Sequence, residues 1–302
     1  MKRIWIKNGR VIDGTNTPAH TADVIVEGDR IVSVGEPGSP SDTVIDAAGK
    51  VVCPGFVDIH RHCDAKFLQD SDFGKVMLAQ GITTTVVGNC GMSLTPSPKD
   101  PAEMYDFMEA VLGSGCEKLG LHDYKDYVTA LQSRPLPVNA ASMVGTGSVK
   151  ITVKGFADTP YTAEELKKAA SLIEDALNAG AVGVSCGIMY LPECYSTTNE
   201  FAEILKPLGK AGRVLTAHIR GEGDSLVSSV KEIIEIGKKA GCPVEISHFK
   251  CCGMENWRKG IHEAITLIEE ARAAGQDVTC DFYPYEGGST ALTTMLPASP
   301  AI

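Results

Sequence analysis

Seven apolar runs recur from residue 55 onward, most of them followed by a loop and a helix-patterned stretch. They are "GFVDIH" (55–60), "TTTVVG" (83–88), "VNAASMVG" (138–145), "AVGVSCG" (181–187), "RVLTAH" (213–218), "VEISH" (244–248) and "DVTCDFYPY" (277–285). Alternation of this kind predicts parallel strands joined by helical crossovers. Several runs are continuously apolar, as strands covered on both faces must be. The clearest intervening helix is "TAEELKKAASLIEDALNAG", with Thr162 as N-cap, Glu165 three residues on and Gly180 at the far end. Seven such units predict an α/β fold, a (β/α)8 TIM-like barrel whose eighth unit is missing from this chain. A doubly wound open sheet is the rival, and no G-x-G-x-x-G follows the first strand to support it.

The first 53 residues have a different rhythm. "RIWIKNGRVI", "ADVIVEGDRIVSVG" and "TVIDAAGKVVCPG" are short alternating runs, with Asn8-Gly9 and Glu27-Gly28-Asp29 as turn signals. The expected organisation is a small N-terminal β-sandwich domain over 1–53 and a metal-dependent barrel over 54–302. The sequence ends at "LPASPAI", soon after the seventh run, so the barrel reads as C-terminally incomplete.

Composition narrows the function classes. A chain of 302 residues with 43% hydrophobic residues can bury a barrel-sized core. Its net charge of -10, with no lysine or arginine block, argues against nucleic acid and membrane surfaces as partners. No window has transmembrane or signal-peptide character, and the ten cysteines then read as buried thiols or metal ligands of a cytoplasmic protein. Oligomeric state leaves no mark in the sequence.

The ends of the seven runs carry the chemistry. His60 and His62 follow the first, Cys90 the second, His218 ends the fifth and His248 the sixth. In a barrel all C-terminal strand ends meet at one mouth, so residues far apart in sequence converge there. Singly, a histidine at a strand end is more often capped or surface-exposed than a ligand. Four of the chain's seven histidines at equivalent ends shift that balance toward metal binding. His20, His122 and His262 fall elsewhere and have no functional reading. Cys90, between glycines in "VVGNCGMS", is the expected thiolate ligand, and Cys186 at the end of the fourth run competes with it. Asp64 is placed to orient the His-x-His pair as a hydrogen-bond acceptor.

These residues resemble the amidohydrolase superfamily and, within it, the D-aminoacylase or N-acyl-D-amino-acid deacylase branch. The resemblance runs through "PGFVDIHRH", "GNCGMSL", "TAHIRGEGD", "ISHFK" and "DFYPYEGGSTALTTMLP". It implies Zn2+ held tightly by Cys90, His218 and His248, with His60 and His62 forming a weaker second position. Most members of the superfamily bridge two metals with a carboxylated lysine from strand four. Here that strand has no lysine, in keeping with the branch that uses the cysteine. The resemblance further implies hydrolysis of a small-molecule N-acyl amino acid, with Lys250, Arg220, Tyr190, Tyr283 and Ser289 as substrate-binding residues. Its catalytic aspartate belongs to an eighth strand, beyond Ile302. "MYLPECYST" departs from the branch: Glu193 and Cys194 stand where a proline-rich turn ending in glycine is usual. The alternatives are another cyclic-amide or dipeptide amidohydrolase (dihydroorotase-, hydantoinase- or isoaspartyl-dipeptidase-like) and a non-catalytic metal-binding truncated chain.

Overall fold

The computed structural model describes residues 3–39 and 42–291, and the chain divides into two compact units after Phe56. In the first unit, β1 (Arg3–Val11), β2 (His20–Glu27), β3 (Arg30–Val34), β4 (Thr43–Asp46) and β5 (Val51–Val52) form one mixed sheet. β1 lies at its centre, antiparallel to β2 and parallel to β4 and β5. The Glu27-Gly28-Asp29 signal does mark the β2–β3 hairpin. Asn8-Gly9 does not make a turn: β1 runs straight through it with a register shift between Ile6 and Gly9. Asn8 takes the left-handed φ of 62°, held by Asp23 Oδ1 on its N–H and by its own side chain on Asp46 Oδ1. A local bulge therefore absorbs the dipeptide that would otherwise reverse the chain. A second sheet layer is absent among the described residues of this unit.

In the second unit the seven expected strands are present in shortened form. They are β6 (Phe56–Asp58), β7 (Ile82–Val87), the pair β8 (Asn139–Ser142) and β9 (Val144–Gly145), β10 (Gly183–Gly187), β11 (Val214–His218), β12 (Val244–Ile246) and β13 (Val278–Cys280). β8 and β9 are one strand interrupted at Met143: β8 pairs with β7 and β9 with β10. Neighbours in the wall are neighbours in the chain, from β6 to β13, and β7–β8, β9–β10, β10–β11, β11–β12 and β12–β13 pair in parallel. Helices such as Ala163–Asn178, Leu226–Ala240 and Gly260–Ala273 separate them. This is a TIM-barrel-like α/β arrangement. Among the described residues, no helix is long and apolar enough to cross a membrane.

Register explains how the wall positions its polar groups. One row across it reads Val144, Val184, Leu215, Val244, Val278, all 1% exposed or less and all in the large apolar cluster that includes residues of the covering helices. Side chains alternate between the two faces of a strand, so the next row, Gly145, Ser185, Thr216, Glu245 and Thr279, points the other way. His218 stands two residues beyond Thr216 and shares its side, one level nearer the C-terminal ends. Cys186 is registered with Ala217 and Ile246 and lies in the apolar cluster, which separates it from that inner row.

Outside the wall, Thr162 and Glu165 form the reciprocal capping box read from the sequence. The helix they start buries Ala169, Ile173 and Ala176, while Lys167 is exposed. Ile173→Ala should therefore cost about 2–5 kcal/mol of stability, against about 0.5 kcal/mol or less for Lys167→Ala. Urea unfolding of the two variants measures the difference, and equal midpoints would contradict this packing.

Candidate metal centre

Four histidines and Cys90 meet at the C-terminal ends of the strands. Cys90 Sγ lies 3.4 Å from His60 Nε2 and 3.5 Å from His248 Nε2. The His218 ring centroid is 4.4 Å from that of His248, and the His60 centroid is 5.0 Å from it. His62 stands edge-on to His60 at 5.5 Å. Two overlapping sets have ligand atoms within 4.8 Å of one another: His60, Cys90 and His248, and His218, Glu222 and His248. The two sets share His248, with Cys90 grouped beside His60 in one and His218 beside Glu222 in the other.

Three of the four imidazoles, those of His60, His248 and His218, have a partner on Nδ1. Asp281 Oδ2 lies 2.9 Å from His60 Nδ1, and Glu222 Oε1 lies 2.8 Å from His248 Nδ1. A carboxylate only accepts, so each of these contacts calls for a hydrogen on Nδ1, and both Nε2 atoms face the thiol. Asp281 also accepts the His248 backbone N–H at 2.5 Å, fixing a residue held at a φ of 38°. His218 Nδ1 is 3.2 Å from the Tyr190 hydroxyl, which in turn lies 3.0 Å from Thr290 Oγ1. Its Nε2 is buried with no hydrogen-bond partner, as is His62 Nδ1.

The electrostatics match a site built for a cation. Burial, then the charges of nearby histidines, pushes His62 and His218 down to about 3, so both are neutral ligands at physiological pH. Burial also pushes the Cys90 thiol well up, helped by Asp281 and Glu222. A metal ion reverses that shift, because a coordinating thiol loses its proton. Burial would raise Glu222, but the His248 hydrogen bond, the charges of His218 and His248 and the Lys250 bond bring it down to about 2. Buried lone pairs without donors, one soft thiol and imidazoles held in one tautomer are the donor set that zinc prefers. The residues present fit the metal.

The remaining expected residues divide. Lys250 donates to Glu222 Oε1 at 2.6 Å and to the His248 carbonyl at 3.0 Å, and its Nζ sits 5.6 Å above the Tyr283 ring. Its third polar neighbour is His248 Nδ1, at 3.2 Å. Tyr190 reaches the cluster through His218. Arg220 does not: its guanidinium spans Glu232 at 2.8 and 2.9 Å and the carbonyls of Cys194 and Ser196 at 2.8 and 2.9 Å. It pins the loop after β10 to the helix Leu226–Ala240. Ser289 is exposed, and the part of the motif beyond residue 291 lies outside the described residues.

Asp64 is fully buried, and no side chain donates to its oxygens among the described residues. Burial pushes it up to about 7, with the backbone N–H groups of Asp64, Cys63 and Gly88 opposing. It does not orient the His-x-His pair, a task that Asp281 performs for His60. Asp281 and Glu222 are the two residues that the sequence reading missed. Asp281 was findable as an acidic residue inside the seventh run, directly after β13, whereas Glu222 sits in a loop with no periodic signal.

Glu222 aims His248 and anchors Lys250 together, so Glu222→Ala should weaken metal binding about 10- to 100-fold. A chelator competition titration reads this directly, and unchanged affinity would remove the residue from the centre.

A family model described as "Amidohydrolase family" matches residues 43–248. D-aminoacylase from Alcaligenes xylosoxydans xylosoxydans is 38% identical over 291 residues, covering 96% of this chain and 58% of that protein. N-acyl-D-glutamate deacylase from the same organism is 37% identical, covering 95% of this chain and 58% of that protein. Among solved structures, the N-acyl-D-glutamate deacylase from Bordetella bronchiseptica, complexed with zinc and a phosphonate inhibitor, superimposes with a TM-score of 0.87 at 35% identity. That match covers 93% of this chain and 58% of the other. The chain spans a little under three fifths of the length of the relatives it matches.

Proposed function

We propose a function from one established premise: this chain belongs to the amidohydrolase family. The protein hydrolyses the amide bond of N-acyl-D-amino acids, releasing a carboxylate and a D-amino acid, with zinc as its resident metal. The observation that carries this reading is the convergence of Cys90 Sγ with the Nε2 atoms of His60 and His248, within reach of His218. Support comes from the deacylase relatives, which match across 95% of the chain or more.

Cys90, His218 and His248 would hold the tight metal, with His60 and His62 at a second position. When bound, zinc polarises an amide carbonyl and lowers the pKa of a water from 15.7 to roughly 7. The chain's own residues do the rest. Asp281 and Glu222 keep their imidazoles in the ligand tautomer, and the Tyr190 hydroxyl holds the orientation of the His218 ring. Lys250, steadied by Glu222 and set over Tyr283, offers its ammonium charge to the substrate carboxylate. Fixing that carboxylate and the carbonyl at two points leaves the enantiomers differing only in whether the side chain or the hydrogen faces a given wall, so a third contact at the α-carbon makes the choice between them. Arg220, with its donors engaged elsewhere, serves the loop rather than the substrate.

The general base is the aspartate of an eighth strand. We assign 1–53 to a β-sandwich domain that further strands complete and 54–302 to the barrel. Exposed Ile31, Val34 and Ile45 in the first sheet support a second layer. A cytoplasmic location fits the cysteine usage.

A substrate panel with metal analysis tests the whole reading. The zinc-loaded protein should cleave N-acetyl-D-methionine and spare the L enantiomer, and Cys90→Ala should lose the tightly held zinc. Cleavage of the L form alone would overturn the substrate assignment, and one zinc per chain retained after the substitution would overturn the ligand assignment.

A further inference from the structure

Glu193 belongs to neither of the two ligand sets, yet it is one of the most deeply buried ionisable side chains, 2% exposed. It sits in the short turn Glu193–Tyr195 after β10, and its carboxyl ends among three other segments. Oε1 bonds Thr146 Oγ1, at the start of the helix Thr146–Lys154 that follows β9. Oε2 accepts the Gly187 N–H at 3.1 Å, at the end of β10. The same oxygen occupies the space beside Gly91 and Gly147, where a Cβ on either glycine would overlap it.

Gly91 directly follows Cys90, and the turn they form is tightly seated. Gly91 N donates to Ser185 Oγ at 2.9 Å, and Ser148 N donates to Gly91 O at 3.2 Å. A Cβ on Gly187 would overlap the Cys90 carbonyl. Both residues of the turn have positive φ, 56° at Cys90 and 75° at Gly91, a conformation that a non-glycine residue holds only when its surroundings impose it. The Glu193 carboxyl is the back wall of that turn.

Hydrogen counting accommodates a protonated carboxyl. Thr146 has one hydroxyl hydrogen, and 3.2 Å away lies the Ser185 carbonyl, which can only accept. A protonated Glu193 donates to the Thr146 oxygen and frees that hydroxyl for Ser185, while its other oxygen takes the Gly187 N–H. Every polar atom is then satisfied. Burial pushes the Glu193 carboxyl up to about 7, in the same direction, with the Thr146 and Gly187 bonds and the Lys150 and Arg220 charges opposing.

We propose that Glu193 is a positioning residue for the Cys90 thiol, a buried carboxylic acid strut that joins the segments after β7, β9 and β10 and seats the Cys90–Gly91 turn against the histidines. The inference rests on the reading of Cys90 as a metal ligand. It gives the Glu193 position, where the sequence departs from the deacylase branch, a task at the metal centre.

Glutamine reproduces the strut, because its amide N–H2 donates to Thr146 and its oxygen accepts from Gly187. Leucine keeps the approximate volume and loses both bonds. The test is cobalt(II) loading, read by the sulfur-to-cobalt charge-transfer band and by a competition titration of affinity. The parent should show the band, and Cys90→Ser should lose it. Glu193→Gln should match the parent, while Glu193→Leu should perturb the band and bind cobalt about 10- to 100-fold more weakly. Thr146→Val removes one end of the strut at nearly constant shape and should shift both readouts the same way, deciding the matter if the leucine variant does not fold. A parent band with folded Leu or Val variants indistinguishable from it would overturn the role of Glu193 alone. A parent without the band would overturn Cys90 ligation and the inference with it.

Discussion

Two carboxylates hold the mouth of this barrel together. Asp281 and Glu222 take the Nδ1 hydrogens of His60 and His248, and by doing so turn both Nε2 atoms toward Cys90. The constraint is one of sidedness. An imidazole presents one donor and one acceptor, and a partner that can only accept decides which is which. Asp281 acts across the sequence: it ties residue 60 at the first strand to the backbone of residue 248 after the sixth. Glu222 couples two side chains of the cluster, since its Oε1 serves both His248 and Lys250.

Burial keeps the Cys90 thiol and the His62 and His218 rings uncharged at neutral pH. Two buried ring nitrogens, His62 Nδ1 and His218 Nε2, have no hydrogen-bond partner, which burial disfavours. A bound cation would give such nitrogens a partner. The same inner face carries Glu245, pushed up by burial and by the neighbouring Asp281 charge, while Asp281 stays ionised through its bonds to His60 and the His248 N–H. Negative charge is thereby concentrated at the level of the histidines.

Much of the barrel was legible because its signal is periodic. The seven runs became seven strand positions, shortened where chain ends leave the ladder, as at residues 247–248 and 281–285. His218 could be placed from the run "RVLTAH" because alternate residues share a face. What periodicity could not reveal lies in loops. Glu222 and Glu193 occupy irregular segments where contacts depend on tertiary approach, and Arg220 looked like a substrate ligand until its fork was seen spent on Glu232 and two carbonyls. Asn8-Gly9 misled for a related reason: its left-handed geometry suits a turn or a bulge equally, and strand pairing on both sides of β1 selected the bulge. Cys186 was ruled out as the competing thiol by register, which a strand-end position alone does not supply.

The central claim is that a thiol and imidazole nitrogens share one metal ion. Zinc-edge X-ray absorption on the metal-loaded protein reads the ligand atoms directly. The account predicts one sulfur at about 2.3 Å together with nitrogen ligands at about 2.0–2.1 Å. A shell of nitrogen and oxygen alone, with no sulfur, would contradict it.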